Sequence, residues 1–259
     1  MIALLTIIQK ELKRIFRIWP QTLVPPMINT SMYFIVFGTI LAQRINMIDG
    51  VHYVQFIAPG LVMMSIIINS YSNVSGSFFI ERWHGGINQL LSAPISVTNI
   101  VLGYIIGGVL RGLLTGTLVY ICAYYFITDV NQYNLIEVHH YGLAIASAVF
   151  TAMIFSTLGL INAIWAKNFD QISIVPTFLL TPLLYLGGIF FSIYELSGVW
   201  AMIAKLNPLV YIIDLLRYGL VNTELHYNAW MVLTFLGMGC FVLFGLAVYC
   251  VNHAKSIRP

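Results

Sequence analysis

Long apolar runs, each able to cross a bilayer, alternate with short polar loops along most of this chain. Only 8% of its 259 residues are charged, whereas soluble domains carry roughly a quarter. A water-soluble fold with so few charges cannot cover its surface, so lipid must be its solvent. Because lipid offers no partners to backbone polar groups, runs of this length are expected to span as helices. The pattern predicts an all-α integral membrane protein.

The chain divides into a short amphipathic start and a transmembrane domain. Residues 1–20 are predicted to form a helix in the membrane interface, and residues 21–253 a domain of six spanning helices. The start is not a secretory signal, because its basic residues follow its apolar stretch instead of preceding it. The six spans are predicted at about 23–41, 53–79, 97–127, 141–165, 172–191 and 230–251.

The N-terminal helix carries apolar and basic side chains on different faces. At about 100° per residue, Leu5, Leu12 and Phe16 fall on one face, while Lys10 and Lys13 fall on the other. This arrangement predicts a helix that lies on an anionic leaflet. The alternative is the solvated face of an ordinary soluble helix.

Basic residues concentrate on one side of the predicted topology. With the N-terminus in the cytoplasm, the basic residues of the inner loops outnumber those of the outer loops, as the positive-inside rule requires. Both termini are therefore predicted to be cytoplasmic. The inner set is Lys10, Lys13, Arg14, Arg17, Arg82, Lys167, Lys255 and Arg258, and the outer set is Arg44, Lys205 and Arg217.

The segment 192–228, between the fifth and sixth predicted spans, is too apolar for a plain loop. Asn207 and Pro208 break it into two apolar stretches, 196–206 and 209–221, each too short to cross a bilayer. We predict outer re-entrant helices; the alternative is one broken span. Its charged residues either form salt bridges that shape an exit gate or are ordinary interfacial charges: Glu195, Lys205, Asp214, Arg217 and Glu224.

The loop between the second and third spans, ERWHGGINQLLSAPIS at 81–96, has the clearest local pattern. Its charged pair, Glu81 and Arg82, marks the boundary with water. Gly85 and the glycine after it allow a sharp turn, and Pro94 ends the short helix that follows.

The short helix of this loop has an apolar stripe. Ile87, Leu90 and Leu91 have the i, i+3, i+4 spacing of one helix face. We predict that the stripe is exposed on the cytoplasmic side and fits a partner's groove. A plain membrane-surface helix is the alternative.

Arg111 lies in the middle of the third span, in a run rich in glycine. A buried arginine costs several kcal/mol or more unless it finds a partner or water. Two interpretations stay open: Arg111 faces a cavity and attracts an anionic substrate headgroup, or it bonds to helix-end carbonyls or a carboxylate and holds the bundle. The small-xxx-small spacing predicts close helix contact at Gly103, Gly107, Gly108, Gly112 and Gly116.

These features resemble the ABC-2 type transporter permeases. The order ER…G…QLLSAPIS is similar to the coupling-helix region of that family, and LGGIFFSIYEL…LNPLVYIIDLLRYGL is similar to its outer segment. The resemblance runs from the N-terminal helix to the sixth span and is nearest to inner-membrane permeases of Gram-negative bacteria. It departs at Trp83 and His84, where relatives often carry another charged residue.

The resemblance implies a homodimeric half-transporter that works with two copies of a separate ATP-binding cassette subunit. The cassette subunits would bind ATP and magnesium, since this chain has no nucleotide-binding loop, and outward movement of a lipid-like, drug-like or saccharide substrate would follow. No cofactor, catalytic set, metal site or nucleic-acid partner is expected in the chain itself. Lys167 and Asp170, in the short loop after the fourth span, are candidates for a second, smaller cassette contact; a solvated turn is the alternative. The resemblance makes these the cassette-docking residues: Glu81, Arg82, Gly85, Ile87, Leu90, Leu91 and Pro94.

Two rival functions remain at this point. A gradient-driven secondary transporter would need a carboxylate deep within a span, and the predicted spans carry theirs only near their ends. A structural membrane subunit without transport of its own would also use a docking helix.

Overall fold

The computed structural model describes residues 2–41, 47–130, 140–221 and 223–253. Within these ranges the protein is helical apart from one short hairpin and the connecting loops. Three residues of the predicted charge distribution, Arg44, Lys255 and Arg258, lie outside the described residues.

The chain begins with two helices that meet at Ile18. α1 is Ile2–Arg17, and α2 is Trp19–Tyr33, which continues as a π-helix over Phe34–Leu41. A proline in the first turn suits the start of α2, because the N–H that it lacks would have no helical partner there. This helix begins earlier than the span predicted from residue 23.

A small hairpin precedes the long helices. Strands β1, Met47–Ile48, and β2, Val51–His52, pair antiparallel. Asp49 and Gly50 form the turn, with φ values of 48° and 79°, as expected of a two-residue turn that joins twisted strands. The all-α prediction did not include this element.

The central helices are long and connected by short segments. α3 is Tyr53–Trp83, and the short α4 is Gly86–Ser92. α5 is Val97–Tyr125, continued by a π-helix over Phe126–Val130, and α6 is Tyr141–Trp165.

The last part of the chain is more broken. α7, Phe169–Ile174, continues through a π-helix over Val175–Leu180 into α8, Thr181–Tyr185. After a turn and a 3-10 helix over Ile193–Glu195 come α9, Gly198–Leu206, and α10, Pro208–Val221. The last helix is α11, Ala229–His253.

α3 lies at the centre of the bundle, packed against α5, α6 and α10, and α1 packs on the outside of α5. The glycines of α5 make these contacts close, as predicted. Gly103 and Gly107 face Ile7 and Glu11 of α1. Three further glycines face α3, in order Gly108 toward Val74, Gly112 toward Ser70 and Gly116 toward Ile66. A larger side chain at any of them would push the helices apart.

Four described helices are long and apolar enough to cross a membrane: Tyr53–Trp83, Val97–Thr128, Tyr141–Trp165 and Ala229–His253. The bent pair α9 and α10, which meet at 79°, would make a fifth if it crosses as one broken span. The break falls at Asn207 and Pro208, as predicted, and both alternatives for this segment stay open. The count of six spans remains a prediction.

The predicted fifth span, 172–191, extends past the end of its helix. The helix stops at Tyr185, where Gly187 and Gly188 form a turn and Gly188 has a φ of 78°. An L side chain rarely adopts that conformation, so the turn depends on glycine.

Candidate functional site

A tight turn containing two glycines joins α3 to α4. Gly85 has a φ of 75°. An L side chain rarely adopts that conformation, so the turn depends on glycine at this position. α4 ends at Ser92, and Ala93 is already extended in front of Pro94, as expected for a residue that precedes proline.

The apolar stripe of α4 faces the bundle, so the prediction of an exposed stripe is wrong. Ile87 is only 1% exposed and belongs to a buried cluster formed with residues of α1, α3, α5, α6 and α11. Leu90 and Leu91 are partly buried against the same cluster. The physical reason is that the bundle itself offers the nearest apolar surface to this helix. The exposed side of α4 carries Asn88, Gln89 and Ser92 instead.

The charged pair at the end of α3 is used within the protein. Nζ of Lys10 lies 2.6 Å from Oε2 of Glu81, which ties α1 to α3. Arg82 donates to the carbonyl oxygens of Ala163, at 2.9 Å, and of Ile164 and Ala166. It thereby satisfies carbonyls that the C-terminal end of α6 leaves without helical partners.

The loop after α6 lies beside the turn that leads into α4. Lys167 and Asp170 are exposed there. The ring of Phe169, between them, has its centroid 4.9 Å from that of Phe79 and 5.9 Å from that of Trp83. We call the exposed side chains of this region the α4 surface: Trp83, Asn88, Gln89, Ser92, Lys167, Phe169 and Asp170.

A buried polar network joins α1 to α3. The Glu11 side chain is fully buried, and its carboxylate accepts from Oγ of Ser77 at 2.6 Å and from Nη2 of Arg14 at 2.8 Å. Arg14 also donates to Oδ1 of Asn73 at 2.7 Å. Gly107 of α5 leaves room for the approach, since a Cβ there would lie 2.8 Å from Cβ of Glu11.

Sequence reasoning missed this network. An amphipathic pattern assigns every charge of an interfacial helix to water, so it does not predict that Glu11 is buried. A usable signal lies in the second predicted span, where Asn69, Asn73 and Ser77 recur every four residues and so share one helix face.

Arg111 has few partners for a partly buried arginine. It lies at the middle of α5, 14 residues from Val97 and from Tyr125. Its Nη1 donates to Oδ1 of Asn73 at 3.3 Å. Its Nε is buried and has no hydrogen-bond partner within the described ranges, and no ion pair involves Arg111 there. A purely structural role would use a helix-end carbonyl or a carboxylate as an anchor. Among the described residues neither kind of group contacts the Arg111 side chain.

Arg111 lines a cavity of about 290 Å³ between α2, α3 and α5. The walls are mixed, with apolar side chains from α3 such as Leu61 and Met64. The polar lining is mostly made of amides and hydroxyls: Gln21, Thr22, Asn29, Thr30, Ser65, Asn69 and Ser72.

The outer region holds a fully buried arginine, Arg217, that has many partners. Nη1 of Arg217 lies 2.5 Å from Oδ1 of Asp214, and its other nitrogens donate to the carbonyl oxygens of Phe56, at 3.1 Å, and Gly188, at 2.7 Å. The guanidinium also lies 3.8 Å from the centroid of the Phe56 ring. Arg217 therefore joins α10 to α3 and to the glycine turn after α8.

The remaining outer residues divide between the interior and the surface. Asn207 is buried and donates to the carbonyl of Leu183 at 2.6 Å, while its Oδ1 accepts from the N–H of Leu209 at 3.0 Å. Pro208 starts α10, a position that suits proline. Among the described residues no ion pair includes the other charges predicted for an exit gate, which are exposed: Glu195, Lys205 and Glu224.

Residues 2–221 match the model of the family described as ABC-2 type transporter. The chain belongs to the ABC-2 type transporter family. It is 44% identical to the inner membrane transport permease YadH of Escherichia coli strain K12 over 250 residues, 96% of this chain and 93% of that protein. It is also 26% identical to nodulation protein J of Neorhizobium galegae over 215 residues, 81% of this chain and 79% of that protein.

Membership makes this ABC-2 permease a membrane subunit of an ABC transporter. The inner-membrane relative and the long apolar helices together support a multi-pass protein of the inner membrane. The resemblance inferred from ER…G…QLLSAPIS and from the outer segment is thus confirmed.

Proposed function

We propose that this permease is the membrane subunit of an ATP-driven exporter in the bacterial inner membrane. In the working unit two copies of the chain pair with two copies of a separate cassette subunit, which bind ATP and magnesium. ATP binding and hydrolysis drive a lipid-like, drug-like or saccharide substrate outward. Both termini lie in the cytoplasm, on the side with more lysine and arginine.

The observation that carries the proposal is the α4 surface. α4 is fixed to the bundle by its apolar stripe, which leaves a polar face with two exposed aromatic rings next to it, Trp83 at 60% and Phe169 at 54% exposure. Exposed aromatic side chains rimmed by polar groups are typical of protein interfaces. Lys167 and Asp170, the residues proposed for the second cassette contact, lie on this surface beside the exposed side of α4, so a single partner can cover both.

The contacts behind the α4 surface explain how a partner's movement would reach the spans. Ile87 connects α4 to the buried cluster, Glu81 connects α3 to Lys10 of α1, and Arg82 connects α3 to the end of α6. A displacement of α4 by a closing cassette pair therefore moves α3 and the helix ends packed on it, because packed interiors deform little.

Co-purification with candidate cassette subunits, followed by an ATPase assay, tests the proposal. Gln89→Lys places a bulky cation on the exposed side of α4, where a basic residue near the helix C-terminus is tolerated. We expect it to reduce the recovered cassette subunit by about fivefold or more, the effect of about 1 kcal/mol of lost interface energy. Ser197→Lys, the same kind of change at an exposed position of the outer region, is the matched control and should leave recovery unchanged.

Two outcomes would favour the rival functions. If no ATPase co-purifies with well-folded wild-type protein, the gradient-driven transporter gains support, and the buried Glu11 becomes its first candidate carboxylate. If an ATPase binds but no substrate-dependent hydrolysis or transport follows, the chain acts as a structural subunit.

A further inference from the structure

We infer that the cavity lined by Arg111 binds the anionic headgroup of a phosphate-bearing amphiphile. This assignment rests on the proposed transport function and narrows its substrate class. The argument depends on the charge of the cavity, on the unfilled donors of Arg111, and on the size and lining of the space.

The charge around the cavity is positive. Glu11, Arg14 and Arg111 are linked through Asn73, whose Oδ1 accepts from both arginines. The Glu11 carboxylate is paired with Arg14 at 2.8 Å, so Arg111 is left without a counter-charge among the residues that the structure describes. Since an unpaired cation in the middle of a bundle is costly, an anion that enters the cavity is stabilised by the charge already present there.

Arg111 also has hydrogen-bonding capacity to spare. A guanidinium has five N–H donors in a planar fork, and the described partners account for one long bond, 3.3 Å to Asn73. The Nε of Arg111 has no hydrogen-bond partner among the described residues, and the Arg111 residue lines the cavity. Phosphate and carboxylate oxygens are the acceptors that match this fork.

The size and lining of the cavity favour a headgroup with an attached apolar chain. A volume of about 290 Å³ is near the lower end of small-molecule pockets and is too small for a long glycan. Amides and hydroxyls of Asn29, Thr30 and Asn69 line one part, and Leu61 and Ile68 line another. A polar head bound at Arg111 would thus leave room for the start of an apolar tail along α3.

Equilibrium binding to the purified full-length permease tests this inference without any cassette subunit. The probe is a fluorescent short-chain phosphatidic acid, compared with a phosphatidylcholine analogue of equal chain length. We expect saturable phosphatidic acid binding, about tenfold weaker phosphatidylcholine binding, and a loss of about tenfold or more for Arg111→Gln, as for one charge-assisted contact. Arg111→Lys should recover part of the affinity, and Arg17→Gln, at an exposed position of α1, should not change it.

A second variant keeps the inference testable if Arg111→Gln does not fold. Asn29 is exposed and lines the cavity, so Asn29→Asp adds a negative charge to the wall with little effect on packing. It should weaken phosphatidic acid binding by about tenfold through repulsion of the headgroup, while leaving cassette recovery unchanged.

Three results would overturn the inference. They are equal binding of the two lipids, an unchanged affinity in both the Arg111→Gln and Asn29→Asp variants, and displacement of the lipid by millimolar inorganic phosphate, which would mean that the site takes a free anion. Cassette recovery is measured in a separate experiment. Absence of lipid binding would therefore not contradict the proposed ABC function, and absence of cassette recovery would not affect the lipid-binding test.

Discussion

Two arginines lie inside the bundle, one at the middle of α5 and one in α10, and their surroundings differ. Arg217 has a carboxylate, two backbone carbonyls and an aromatic ring within contact distance. Arg111 has one long hydrogen bond to an amide and borders a polar cavity. A buried cation whose three nitrogens are all hydrogen-bonded holds a structure together, whereas one with unpartnered donors beside a cavity is available to a ligand.

The largest loss of stability is expected when Arg217, the arginine with more partners, is replaced. Arg217→Gln leaves the largely buried Asp214 carboxylate without its cation and breaks the link from α10 to α3 and to the glycine turn, so we expect a loss of about 3–5 kcal/mol in stability. Thermal unfolding in detergent, followed by size-exclusion chromatography, measures it. Adding Asp214→Asn should restore part of the loss, because the unpaired charge is then gone. Unchanged unfolding in the single variant would contradict the assignment of Arg217 to a structural role.

The next largest effect is expected at the network between α1 and α3. Glu11→Gln removes the carboxylate that accepts from Ser77 and Arg14, and the expected loss is about 1–3 kcal/mol, as for a buried charged hydrogen bond. The same unfolding assay checks this. Gln9→Glu, an exposed change on α1, is the control. Equal stability of Glu11→Gln and wild type would show that Glu11 is not held by these partners.

Arg111→Gln tests whether Arg111 and Arg217 have different roles. It loses one long bond, so its stability should fall by less than about 1 kcal/mol, while substrate-stimulated ATPase activity of the complex should fall strongly. A variant that is as unstable as Arg217→Gln would place Arg111 in a structural role. A stable variant that transports normally would remove it from the substrate path.

The smallest effect is expected at the surface. The Lys10 and Glu81 pair is partly exposed, with 46% and 27% of the side chains accessible, and such pairs contribute about 0–1 kcal/mol. Lys10→Gln should therefore change stability little, and less still in high salt, where the charges are screened. Unfolding at low and high salt measures this, and a large loss that persists in high salt would show that the pair holds α1 to α3.

Much of the helical arrangement could be predicted from the sequence, because it depends on local patterns. The apolar runs predict long helices, Gly85 and Pro94 bound α4, and Asn207 with Pro208 marks the break before α10. The family followed from the order and spacing of those same segments, and the comparisons confirm it.

The orientation of individual side chains could not be predicted, because it depends on which neighbour a face meets. The stripe of Ile87, Leu90 and Leu91 is equally suited to a partner's groove or to the protein's own bundle, and the structure shows the second. Glu11 fits an exposed polar face by helical periodicity, yet the space left by Gly107 allows it to reach Ser77. The cavity beside Arg111 likewise arises from three helices together, not from any one segment.

The most direct test of the central claim, that a cassette subunit docks on the exposed face of α4, is site-specific photocrosslinking. A photoreactive amino acid replaces Gln89, on the exposed face, or Ile87, on the face buried against the bundle, in cells that express the cassette subunit. We predict a crosslink to the ATPase from position 89 and crosslinks only within the permease from position 87. A crosslink to the ATPase from position 87 alone, or from neither position, would contradict the account.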